Sequence, residues 1–72
     1  MDFALTKALE EGIDTAKRQG FRPGRMASTP LGEEVEIKSF PYSDGENVLV
    51  LVRMVTRASD FLEWKTDDLE LS

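Results

Sequence analysis

Apolar side chains recur at three- and four-residue spacing through Leu5, Ala8, Leu9, Gly12, Ile13 and Ala16, forming one stripe along a helix predicted over residues 2–19. Asp2 stands where it caps the start, Lys17 and Arg18 fall in the last turn, and Gly20 follows as a C′ residue. Gly12 lies on the stripe itself. A glycine inside a helix costs about 1 kcal/mol relative to alanine, so its presence there implies close approach to a packed surface.

The period then changes to two. Residues 34–40 alternate polar and apolar, with Val35 and Ile37 on one face, and Asp44-Gly45 supplies hairpin chemistry within a loop lengthened by Pro41 and Tyr42. Val48 opens a second strand running to Arg57. Its even positions, Val48, Val50, Val52 and Met54, are wholly apolar and are expected to meet the helix stripe. Its odd positions mix Leu49, Leu51 and Val55 with Arg53 and Arg57. After a turn at Ser59-Asp60, residues 61–65 read as a third strand with Leu62 and Trp64 on one side; a short helix starting near Asp60 is the competing reading.

Residues 20–33 read as a connector, because Arg22-Pro23-Gly24 and Thr29-Pro30-Leu31-Gly32 carry turn chemistry and neither proline suits a central strand. Residues 67–72 form an acidic tail. The expected fold is therefore one α+β domain of 72 residues, a helix packed on a three-stranded antiparallel sheet in the order α-β-β-β, with α-β-β-α as the alternative.

Composition narrows the chemistry. There is no cysteine and no histidine, which excludes disulfides, thiolate nucleophiles and Cys/His zinc sites and removes the usual neutral-pH proton carrier. No Gly-rich phosphate loop or nucleophile elbow is present. No enzyme activity, cofactor or metal is expected. The longest apolar run has five residues, well below the roughly 20 of a membrane span. The acidic, polar-striped start is unlike a signal peptide, so the expected location is cytoplasmic.

The net charge of −5 is uneven. Residues 1–30 hold five basic and four acidic groups, residues 31–72 four basic and ten acidic. Three surfaces follow as candidates. The odd face of the second strand, Leu49, Leu51, Arg53, Val55 and Arg57, is apolar with arginines interleaved, and one helix covers only one face of a sheet. A protein partner or a second copy is expected there. The basic segment Lys17, Arg18, Arg22 and Arg25 offers an anion or nucleic-acid contact, or else solvated cations offsetting the helix dipole. The carboxylates Glu33, Glu34, Glu36, Glu63, Asp67, Asp68 and Glu70 suit imitation of a nucleic-acid backbone, or plain solubility. They lack the ligand pattern of a calcium loop.

The expected function is a small non-enzymatic protein-interaction module. An inhibitor occupying a surface of a larger nucleic-acid-handling partner is its sharper form, with a compositional parallel to the small blockers that phages and mobile elements encode. A small nucleic-acid-binding domain and a homodimeric accessory protein are the alternatives.

Overall fold

The stripe from Leu5 to Ala16 forms the helix that its spacing predicts, α1 (Phe3–Gln19). The structure, a computed structural model, describes residues 3–56 and 60–72, so the proposed Asp2 cap, Arg57 and Ser59 lie outside the described residues. The helix ends in a Schellman closure. The Phe21 N–H donates to the Ala16 carbonyl and the Gly20 N–H to the Lys17 carbonyl, each at 3.1 Å. Gly20 takes φ +112°, a conformation that side chains with a Cβ avoid. The closure turns the chain so that Phe21 drops into the core beside Ala16.

Six strands follow: β1 (Met26–Ser28), β2 (Glu34–Ile37), β3 (Tyr42–Ser43), β4 (Val48–Met54), β5 (Phe61–Lys65) and β6 (Glu70–Leu71). A 3₁₀ turn, Thr66–Asp68, joins the last two. All pairings are antiparallel. β4 is the spine, with β5 along one side and both β2 and β3 along the other. β1 pairs with β2, and β6 with β1. The segment β5–3₁₀–β6 therefore carries the chain from one edge of the sheet to the other.

Three strands were expected and six are present among the described residues. β1 lies in the segment read as connector: Thr29 and Glu33 pair across a short loop, and the Gly32 N–H donates to the Thr29 carbonyl at 2.9 Å, so the proline-glycine turn is a hairpin. The strand expected over 34–40 breaks after Ile37 and resumes as β3. At the break, the Lys38 N–H donates to the Leu51 carbonyl and the Leu51 N–H to Ser39 Oγ, so the ladder continues partly through a side chain. β6 comes from the acidic tail. The α-β-β-α alternative fails, since residues 61–65 are extended and the only helical turn after them spans three residues.

The even positions of β4 face inward as the alternation requires. Val35, Ile37, Val50 and Val52 are fully buried, joined by Ala27, Met54, Phe21 and Leu69, with Val48, Trp64 and Leu71 packed against them. α1 lies on the Val48 end of this core. A Cβ on Gly12 would stand 2.9 Å from Val48 Cγ2, which is why the stripe carries a glycine there. Burial along α1 deepens toward its C-terminus: Leu5 is 45% exposed, Leu9 and Ile13 are half-buried and Ala16 is buried.

Candidate interaction surface

Register across the outer face sets four side chains in one line. Met26 pairs with Glu36, Glu36 with Arg53, and Arg53 with Phe61. Directly opposite residues of an antiparallel pair point to the same side, so these four share the outer face with Leu51 and Glu63. The Arg53 guanidinium lies over the Phe61 ring, 5.5 Å from its centroid. Its Nε is buried and has no hydrogen-bond partner among the described residues. Phe61 is 54% exposed and Val55 49% exposed. Glu36, Arg53, Met54 and Val55 line an open depression of about 200 Å³.

The apolar odd positions of β4 are not equally open. Leu49 is 8% exposed and Leu51 half-buried, whereas Val55 projects into solvent. Two polar side chains close over the strand at this end. Tyr42, opposite Leu49 on β3, donates its hydroxyl hydrogen to Glu63 Oε2 on β5, bridging β4 from one neighbour to the other. Partial burial first, then the Glu63 bond and the negative charges of Glu63 and Asp44, push the Tyr42 hydroxyl up to about 12. Asp44 itself is held below its ordinary value by the Asn47 and Glu46 N–H groups that its Oδ1 accepts, each at 2.9 Å. These bonds fix the β3–β4 turn. Of the expected apolar face, the part left open is thus its Arg53–Val55 end together with Phe61, while Arg57 falls outside the described residues.

The basic segment is divided by the fold. Lys17, Arg18 and Arg22 are exposed, but Arg25 is half-buried and its Nε and Nη2 donate to the Ser72 carbonyl at 3.2 and 3.0 Å. That arginine ties the strand end beside β1. Arg18 reaches back to Thr15 Oγ1 at 3.5 Å.

The carboxylates fall into three groups. Glu34 and Glu70 both pair with Ser28 from opposite sides, and Glu33 follows the β1–β2 turn. Glu36 accepts an ion pair from Lys38 at 2.9 Å, and Glu63 is engaged by Tyr42. Asp67 and Asp68 are exposed in the 3₁₀ turn. Among the described residues no group of three acidic side chains is arranged to hold a metal ion, and no helix is long and apolar enough to cross a membrane.

A second concavity, about 450 Å³, lies between α1 and the β3–β4 turn, lined by Leu5, Leu9, Ile13, Glu10, Ser43 and Gly45 among others. Phe61, Met26 and Tyr42 were not among the surface residues expected from sequence. The signal for Phe61 was present: once residues 61–65 are a strand with Leu62 and Trp64 inward, Phe61 must face outward, and only the register was missing to set it beside Arg53.

No known protein family matches the chain, and neither a curated protein nor a solved structure does.

Proposed function

We propose that this protein is a small non-enzymatic interaction module that docks on a protein partner through the Arg53–Val55–Phe61 end of its outer sheet face. The observation that carries the reading is Arg53. A buried guanidinium nitrogen without an acceptor costs free energy, on the order of 1–3 kcal/mol, so Arg53 is not placed at this surface for the stability of the fold alone. Its guanidinium lies over the exposed Phe61 ring, and its side chain lines the same depression as the exposed Val55. An arginine flanked by open apolar area is the arrangement that interface hot spots share. The partner would offer an apolar side chain to Phe61 and Val55 and a carbonyl or carboxylate to Arg53.

The acidic excess of residues 31–72 favours a partner whose contact region is rimmed by basic groups, as nucleic-acid-handling proteins are. Occupying such a surface would make the module an inhibitor without chemistry of its own. The test is affinity capture from source-cell lysate with nuclease present, comparing the wild type with Arg53→Met/Val55→Asp. Met keeps the packed stem of the arginine, so the fold is expected to survive. The proposal expects one stoichiometric protein held by the wild type and lost by the variant. Recovery that vanishes with nuclease would transfer the function to the basic segment.

A further inference from the structure

The hydrogen-bond pattern of β4 decides which way the backbone of β5 faces. Leu51 both donates to and accepts from the 38–39 segment, and Val55 donates to the Glu34 carbonyl, so the odd residues of β4 point their N–H and C=O groups toward β2 and β3. The even residues Val50 and Val52 then bond β5, through their partners Trp64 and Leu62. Phe61, Glu63 and Lys65 are left with backbone N–H and C=O groups turned to the other side, where no strand among the described residues pairs. All of β5 except Trp64 is exposed. The other open edges belong to the two-residue strands β3 and β6; β5 presents five residues with no proline. A long open edge is a template for another strand.

We infer that the occupant of this edge is a second copy of the chain, paired antiparallel β5 to β5 about Glu63. Three features of the strand fit that register. It uses all three outward-facing residues, Phe61 against the partner Lys65, Glu63 against Glu63, and Lys65 against the partner Phe61. On the outer face each Phe61 ring, already under Arg53 on one side, receives a lysine on the other. On the inner side Leu62, 42% exposed, meets the half-buried Trp64 of the other copy. The one unfavourable juxtaposition is Glu63 against itself. Tyr42 draws that carboxylate back across β4, away from the open edge, so the two charges diverge. The contact is small, which places it at the weak end of specific interfaces, with a Kd on the order of 0.1 mM. The pairing rests on the interaction reading above and deepens it: the two outer faces become continuous, and the module becomes bivalent.

Sedimentation equilibrium of the wild type and Lys65→Pro tests this. Lys65 has φ −66°, the angle proline imposes, and its N–H points to the open edge, so the substitution deletes an intermolecular donor and leaves the fold intact by circular dichroism. The wild type is expected to rise from 8.1 kDa toward twice that mass with concentration, and the variant to stay monomeric. A second variant reads the register. The chain has no cysteine, so Glu63→Cys forms only an intermolecular disulfide. Its Cα atoms would lie about 5.5 Å apart, within disulfide range. Glu63→Cys is expected to cross-link on mild oxidation and Lys65→Cys, whose partner position is Phe61, to form no cross-link. A wild type that stays monomeric at millimolar concentration, or a Lys65→Pro variant that dimerises equally well, overturns the pairing. A wild type that stays monomeric yet still captures its partner refutes the dimer while sparing the docking face, and a wild type that dimerises but captures no partner refutes the docking face while sparing the dimer.

Discussion

Gly12 is where the packing of α1 on the sheet can be tested most sharply, by asking what one methyl group does. In an isolated helix Gly12→Ala should stabilise by about 1 kcal/mol. In this fold the new Cβ would stand 2.9 Å from Val48 Cγ2, closer than real Cβ contacts come. Val48 is β-branched and stiff at χ1, and it packs against the core, so relief requires shifting the helix or the strand. Overpacking of this kind costs about 1–3 kcal/mol. Taking the middle of that range, the variant is expected to lose about 1 kcal/mol net. In a domain of this size that lowers Tm by roughly 4–8 °C.

A second substitution isolates the cause. Val48→Ala alone removes half-buried methyl groups and should cost about 1 kcal/mol. In that background the clash disappears and the alanine's helix preference is recovered, so Gly12→Ala/Val48→Ala should return close to the wild type. The coupling between the two sites is then about 2 kcal/mol in favour of the double variant. Urea unfolding of the four proteins, followed by Trp64 fluorescence, measures it, and unchanged m-values would show that the unfolding reaction stays the same. A Gly12→Ala variant more stable than the wild type, with additive effects, would mean that the helix does not touch the sheet at Val48.

The remaining predictions concern local chemistry. Tyr42, the single tyrosine, should titrate near 12 by ultraviolet absorbance in the folded protein. Because its folded value is raised above the ordinary 10.0, its contribution to stability is complete below pH 10 and is lost as the pH climbs from 10 toward 12. Glu63→Gln should lower that midpoint; a wild-type midpoint at 10 in the folded state would remove the clasp over β4. Gly20→Ala should cost about 1–2 kcal/mol, because it forces a Cβ into the left-handed closure of α1. An unchanged thermal midpoint for that variant would contradict the Schellman geometry.

What the chain discloses by itself follows from how each element is stabilised. α1, β2 and β4 announce themselves because their periodicity reflects burial on one face, and that periodicity is local. β1, β3 and β6 have only two or three residues each and carry no period; they exist because β2, β4 and β1 offer them an edge in register, which is a long-range fact. The turn at Thr29–Gly32 was legible as a turn but not as a hairpin, since Met26-Ala27-Ser28 before it has no apolar alternation of its own. On the surface, the even-inward phase of β4 was correct, and it placed Arg53 and Val55 outward. The covering of Leu49 was not foreseeable, because Tyr42 and Glu63 lie 21 residues apart and meet only through the two pairings of β4. Arg25 likewise looked like one of four free cations until the pairing of β6 with β1 brought the Ser72 carbonyl to it.

The central claim is that the Arg53–Val55–Phe61 surface binds a protein. Its most direct measurement is nuclease-treated affinity capture with the wild type and Arg53→Met/Val55→Asp side by side, both shown to be folded by circular dichroism and repeated at high salt. The expected result is a single stoichiometric partner retained by the wild type through the salt step, as an apolar contact should be, and absent from the variant. Equal retention by both proteins would show that the function lies elsewhere on the molecule.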